Sequence, residues 1–163
     1  MSGLVARRVR TGVAVAVTAL SLASAADAAS TATLTPPEAS LLTVMNEVRA
    51  ANGLRPLRAD TRLERAARAH SSRMLRTDRF YHGAFNARIR GVGVHARRVG
   101  ENLAWGVGSF SRARVIVNMW LSSPGHRANL LRPGYRIVGV GALRGTFSGY
   151  RGALMITADF AGR

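Results

Sequence analysis

Apolar residues recur at helical spacing in the first half of the chain, downstream of residue 34. Thr35, Pro36 and Glu38 have the spacing of a capping box with proline at the first helical position, so a helix is predicted to begin there. The pair Asn52-Gly53 predicts its end. Asp60 predicts the start of a second helix. The two apolar faces consist of Leu41, Leu42, Met45 and Val48 in the first helix, and Leu63, Ala66, Ala67, His70 and Met74 in the second.

Further short helices are predicted before the pattern changes. One covers residues 85–89, and another follows Ser111 as its N-cap and runs into Trp120. Pro124 and Gly125 then turn the chain, so that His126 stands at the start of one more short helix. This turn would present the imidazole of His126 to a cleft.

Short apolar runs replace the helical spacing near the end of the chain. The runs at residues 137–140 and 153–156 are joined through the glycine-containing segment 145–149, which predicts a β-hairpin of two central strands. Helices early and strands late predict a layered α+β domain. Trp105 and Trp120 are predicted to lie in the core or in a cleft wall.

The first 28 residues have the features of a removable export signal. Arg7, Arg8 and Arg10 precede an uncharged stretch over residues 11–22, and Ala26-Asp27-Ala28 is an Ala-x-Ala cleavage site. Spanning a bilayer needs about 20 apolar residues, so a retained anchor is the weaker alternative. The Arg pair leaves the general and twin-arginine routes open. We expect a secreted protein with a signal at 1–28, a short lead at 29–38 and one domain over 39–163.

Charge and cysteine content narrow the functional class. The chain carries 24 basic and 8 acidic residues, a formal net charge of +16, and no cysteine. A disulfide-stapled fold is therefore excluded. Such a charge favours association with an anionic cell-envelope polymer or a lipid surface. The preferred interpretation, however, is that the arginines, which are scattered along the chain, merely solvate helix faces. The arginines are not interleaved with aromatic residues, so nucleic acid is not an expected partner.

Three polar residues at turns are the candidates for chemistry: His82, Glu101 and His126. Two imidazoles and a carboxylate suffice to ligate a zinc-type ion with an open position, and they would equally form a general base with orienting partners. A third alternative is that they only satisfy one another in a polar pocket. His70, on an apolar helix face, is predicted to be a core histidine, and His95 an exposed loop residue.

Several motifs occur in a fixed order between Leu41 and Phe160. They are His82, the run Gly100-Glu101-Asn102-Leu103-Ala104, the run from Trp120 to Leu131, Tyr135 with Gly139-Val140-Gly141, and Asp159-Phe160. Together they resemble the CAP superfamily, which includes cysteine-rich secretory proteins, antigen 5 and plant pathogenesis-related proteins. The resemblance is closest to the cysteine-free bacterial secreted branch.

This resemblance implies a three-layer α-β-α sandwich with a central antiparallel sheet. It also implies a cleft in which His82, His126 and Glu101 match the two family histidines and the glutamate of the Gly-Glu-Asn motif. Family members can hold a divalent ion between those histidines. A second cleft glutamate of animal and plant members is replaced here by Ser123, which cannot act as a carboxylate base or a strong ligand.

Two functions follow from this combination. The first is a monomeric secreted binding module whose cleft holds a divalent metal such as zinc, a small apolar ligand or a protein partner. The alternative is a hydrolase acting on peptides, in which His82 or His126 activates water and Glu101 is the base or the orienting group. Ser123 does not lie in a Gly-x-Ser-x-Gly motif, which argues against a serine nucleophile. The missing second glutamate favours binding over turnover.

Overall fold

The computed structural model describes residues 34–162, so the predicted export signal and the first half of the lead lie outside the described residues. Within this range the chain forms five α-helices, a 3₁₀ turn at Gly108–Ser111 and a four-stranded sheet. The helices are α1 (Pro36–Ala51), α2 (Thr61–Thr77), α3 (Phe85–Gly91), α4 (Ala113–Ser122) and α5 (Pro124–Leu130). The strands are β1 (Arg58–Ala59), β2 (Arg98–Gly106), β3 (Tyr135–Phe147) and β4 (Tyr150–Gly162). None of the helices in residues 34–162 is both long enough and apolar enough to cross a membrane.

The sheet has the order β1-β3-β4-β2, with the predicted hairpin strands β3 and β4 at its centre. These two strands are antiparallel and joined by Ser148-Gly149, and both turn residues have positive φ. Strand β2 pairs antiparallel with β4. The two-residue strand β1 lies at the other edge and pairs parallel with β3, so the sheet is antiparallel except at that edge.

The sheet is covered on both faces, which confirms the three-layer α-β-α sandwich. Helices α1, α4 and α5 pack on one face, and α2 and α3 pack on the other. Side chains alternate between the two faces of a strand. Accordingly, Ile156 and Phe160 of β4 pack with α1 and α4, whereas Met155 and Ala161 pack on the α2 side.

The helix ends follow the local sequence, with one exception. Thr35 and Glu38 form the predicted capping box of α1, and Asp60 caps α2 by accepting hydrogen bonds from two backbone N–H groups. Helix α4 begins at Ala113 rather than directly after Ser111. The Ser111 hydroxyl donates to the carbonyl of Gly108 instead and stabilises the 3₁₀ turn, so the prediction of Ser111 as the N-cap is wrong.

Two glycines allow α2 to approach the sheet at backbone distance. A Cβ on Gly139 would lie 2.0 Å from the carbonyl carbon of Leu63, and one on Gly141 would lie 2.3 Å from the amide nitrogen of Arg68. Because real side chains do not tolerate such distances, these positions require glycine. The close contact fixes α2, and with it His70, over the centre of the sheet.

Candidate functional site at the edge strand

Glu101 is the centre of the polar cluster and lies on the edge strand β2, facing α2. Its side chain is only 2% exposed. Nδ1 of His82 lies 2.7 Å from Glu101 Oε1, and Nη2 of Arg88 donates to Glu101 Oε2. A carboxylate oxygen only accepts hydrogen bonds, so Nδ1 of His82 is the donor and Nε2 is left free. Both oxygens of this buried carboxylate are therefore occupied.

Arg88 joins Glu101 to a second buried carboxyl group. Its Nη2 lies 3.1 Å from Oδ1 of Asp159, which is fully buried on the neighbouring strand β4. Within residues 34–162, Oδ2 of Asp159 has no hydrogen-bond partner. Burial raises the pKa of Asp159 to about 7, with the adjacent charge of Glu101 adding to the shift and Arg88 opposing it.

His70 supports the turn that carries His82. It is buried, as predicted for a core histidine, and its Nε2 lies 2.8 Å from the carbonyl oxygen of Tyr81. The rings of His70 and Tyr81 meet edge to face with their centroids 5.5 Å apart. Nε2 of His70 also lies 3.9 Å from Glu101 Oε2. Burial lowers the pKa of His70, and the charge of Arg88 lowers it further. The neutral ring thus holds the backbone next to His82.

His126 is held by an amide network on the opposite face of β2. Asn102 Nδ2 donates to the carbonyl of His126 at 3.0 Å, and Asn129 Nδ2 donates to Asn102 Oδ1 and to the carbonyl of Glu101. Gly100 makes room for this network, because a Cβ there would lie 2.6 Å from Asn129 Oδ1. The two amides therefore tie α5 to β2.

The two cleft histidines differ in environment. The side chain of His82 is 61% exposed, whereas His126 is half-buried. Burial lowers the pKa of His126, and the charge of His82 lowers it further, which places the two imidazoles within electrostatic range. In the described part of the chain, the only hydrogen bond between either imidazole and Glu101 is that of His82. Of the three residues expected in one cleft, His82 and Glu101 are therefore the pair that makes a direct hydrogen bond within residues 34–162.

An apolar hollow of about 310 Å³ opens beside His126. It is lined by Phe80, Leu103, Ala104, Trp105, Met119, Trp120, Ser123 and His126. Trp120 is buried and donates from Nε1 to the carbonyl of Leu103, which fixes α4 against β2. Phe80 and Met119 are 47% and 46% exposed. Both predicted wall tryptophans therefore line the hollow, and its exposed lining is largely apolar.

Comparison with known proteins assigns the family. The model of the cysteine-rich secretory protein family, CAP, matches residues 42–160. This chain belongs to the CAP family. The YkwD protein of Bacillus subtilis (strain 168) is 32% identical over 109 residues, which is 64% of this chain and 41% of that relative. The chain therefore matches less than half the length of this relative.

Solved structures of similar proteins support the CAP fold. An extracellular protein from Bacillus anthracis that contains an SCP domain is 25% identical, with a TM-score of 0.64 over 80% of this chain and 44% of that chain. An outer surface protein from Borrelia burgdorferi is 22% identical, with a TM-score of 0.67 over 78% of this chain and 92% of that chain. At 22% identity, the similarity to the Borrelia burgdorferi protein supports only a shared fold.

The contacts of Glu101 bear on which cleft residues are free to bind a metal ion. Within residues 34–162, no group of three or more His, Asp or Glu side chains is arranged to hold a metal ion. The carboxylate of Glu101 already accepts from His82 and Arg88, and the arginine charge opposes a cation there. Donors that remain free for a metal are the imidazoles of His82 and His126. Glu101 fits an orienting role better than a ligand role.

Sequence analysis missed two members of the cluster, Arg88 and Asp159. Arg88 is one of many arginines and lies on a short helix, where a solvent-exposed position is the ordinary expectation. Asp159 could have been predicted as a member of a polar cluster, because it interrupts the apolar run of β4 and an acid in a buried strand requires a partner. The exposed position of His95 is confirmed.

The raised pKa of Asp159 predicts a pH-dependent stability that the Asp159→Asn variant lacks. In the unfolded chain this carboxyl ionises near pH ~4, but in the fold it keeps its proton to about pH 7. Its contribution to stability is therefore lost as pH rises between these values. We expect the wild-type melting temperature, relative to that of Asp159→Asn, to fall from pH 5 to pH 8.

Thermal melts at matched ionic strength measure this difference. The lowered pKa values of His70 and His126 act in the opposite direction, but they are present in both proteins and drop out of the comparison. Glu47→Gln is the control, since Glu47 is an exposed acid paired with Arg114. Parallel pH profiles for wild type and Asp159→Asn would contradict the assignment.

Proposed function

We propose that this CAP-family chain is an extracellular binding module whose hollow beside His126 takes a small apolar ligand. The observation that carries the proposal is the lining of the hollow, in which aromatic and aliphatic walls surround the two polar side chains Ser123 and His126. Its volume of about 310 Å³ is at the lower end of the range for small-molecule sites. The exposed rim residues Phe80 and Met119 would gain burial on binding.

The polar groups suggest how the ligand is oriented. Ser123 and His126 are both in the lining and would hydrogen-bond the polar end of an amphiphile, such as a carboxylate or a hydroxyl. The lowered pKa of His126 leaves the ring neutral at neutral pH, so it offers a hydrogen bond rather than a fixed charge. We therefore propose an uncharged or weakly polar head group with a short hydrocarbon body. Export and a monomeric state remain part of this proposal.

A peptide hydrolase is the second candidate, and the 2.7 Å contact between His82 and Glu101 is the observation that favours it. A carboxylate that holds the Nδ1–H of an imidazole leaves Nε2 in the form of a general base. Against turnover, Glu101 is itself neutralised by Arg88, and no second cleft carboxylate stands at Ser123. Cleavage of peptides that His82→Ala and Glu101→Gln both abolish would favour this candidate over binding alone.

Intrinsic fluorescence is a direct test of the hollow, because both tryptophans of the chain, Trp105 and Trp120, line it. We expect decanol, and more weakly decanoate, to change the emission saturably. Phe80→Glu should weaken the apparent affinity by about tenfold or more, since a charge at the rim opposes entry of hydrocarbon. The measurement is a fluorescence titration of the chain below the critical micelle concentration of the amphiphile.

Phe110→Glu is the matched control for this titration. Phe110 is also an exposed phenylalanine, at 63%, and it does not line the hollow. This variant should bind like the wild type. Absence of a saturable signal, or the same loss in both variants, would refute the proposed ligand site.

Zinc binding tests the two free imidazoles. With only two protein donors, we expect saturating zinc to raise the melting temperature by a few degrees. The increment should vanish in His82→Ala and in His126→Ala, whereas His95→Ala should keep it, since His95 is exposed and lies outside the cleft. An unchanged melting curve in saturating zinc would refute the proposed metal binding. The apolar ligand site is tested separately, by the fluorescence titration.

A further inference from the structure

Arginines that are far apart in the sequence line one continuous groove. A cavity of about 900 Å³ is bordered by Arg58, Arg62, Arg97 and Arg136, and an adjoining cavity of about 360 Å³ adds Arg90. The segment 94–97 lines both cavities, so they are neighbours on the surface. We name these five arginines, with His95 between them, the basic groove. No residue lines both the basic groove and the apolar hollow.

Some arginine side chains of the groove are held by hydrogen bonds within the fold, and others are exposed and can contact a ligand. Arg62 donates to both oxygens of Asp60 and to the carbonyl of Gly93, which holds its guanidinium in place. Arg136 donates to the carbonyls of Pro133 and Tyr135. The Arg62 side chain nevertheless stays 48% exposed, and Arg58, Arg90 and Arg97 are exposed as well. The fixed residues define the shape of the groove, and the exposed ones can reach toward an anion.

The charge of the groove is nearly uncompensated. No Asp or Glu is among the residues that line its two cavities, and the acid that pairs with Arg62, Asp60, lies outside both linings. Guanidinium groups match phosphate and carboxylate oxygens in geometry as well as in charge. Low-dielectric walls of Val94, Ile137 and Ala161 strengthen the local field. A groove of this kind attracts a chain of anionic groups more strongly than a single anion.

The lining also distinguishes between classes of polyanion. It contains no Phe, Tyr or Trp, the side chains on which the bases of single-stranded nucleic acid stack. A flexible polymer of phosphate or carboxylate groups needs no such platform. The similar Bacillus anthracis protein is extracellular, a setting in which nucleic acid is not the usual polyanion.

We propose that the basic groove binds a flexible extracellular polymer bearing phosphate or carboxylate groups. The groove would hold the chain to the polymer while the apolar hollow stays accessible, since the two features share no residues. This inference does not depend on the ligand of the hollow, because it would stand if the hollow bound nothing.

The test compares two double variants of equal charge change. Arg58→Gln/Arg97→Gln removes two exposed arginines of the groove, and Arg112→Gln/Arg151→Gln removes two exposed arginines that line none of the cavities described here. Long-chain polyphosphate, poly-glutamate and a single-stranded oligonucleotide of matched charge are the probes. Dissociation constants are measured over a range of salt concentrations, and melting curves verify folding of each variant.

We expect the groove variant to bind polyphosphate, poly-glutamate or both about fivefold or more weakly, and to show a shallower salt dependence. The control variant should lose less than about twofold. The polymer that binds more tightly identifies which anionic group the groove selects. Equal losses in the two variants would overturn the proposal, because binding would then follow net charge alone. Groove-dependent binding of the oligonucleotide that exceeds both polymers would overturn the assigned partner class.

Discussion

A buried carboxylate on the edge strand sets the requirements for the rest of the site. Glu101 is almost completely removed from water, and an ionised carboxylate in that position is stable only when both oxygens are paired. His82 and Arg88 supply the partners from the loop after α2 and from α3. The turn at His82 and the short helix α3 must therefore stay close to β2, and His70 keeps the backbone of that turn in place.

The pairing also limits the chemistry that the cleft can perform. A glutamate that accepts from an arginine and a histidine is a poor general base and a poor metal ligand, since both oxygens are occupied. It is suited to holding the imidazole of His82 in one tautomer with Nε2 free. Asp159 behind it holds a proton near neutral pH, which reduces the negative charge that Arg88 alone has to balance. The cluster is thus closer to a scaffold than to an acid–base pair.

Local sequence patterns predicted most of the elements, because capping boxes, glycine turns and apolar spacing act over few residues. The site was predicted less completely, for a geometric reason. Glu101 and Asn102 are neighbours in sequence but point to opposite faces of β2, so Glu101 contacts the His82 side chain on one face and Asn102 contacts the backbone of His126 on the other. Turn positions alone carry no information about this alternation. Arg88 was hidden by the number of other arginines.

The distribution of charge was the least predictable feature. Arginines from residue 58 to residue 136 look scattered along the chain, which is the reason that simple solvation of helix faces was the preferred interpretation of the sequence. In the fold, five of them lie along one groove, because β1, the start of α2, the segment after α3 and the start of β3 meet there. Which arginines share a surface depends on sheet order and register, and single-sequence patterns do not contain that information.

The nitrogen-bound protons of His82 are the most direct measure of the central contact. A long-range ¹H–¹⁵N spectrum of the imidazoles, recorded for the wild type and for Glu101→Gln, reports which ring nitrogen carries the proton. The account predicts that wild-type His82 is protonated at Nδ1 when neutral, with Nε2 bare, and that Glu101→Gln shifts the ring toward the Nε2–H form. A wild-type His82 that already carries its proton at Nε2 would contradict it.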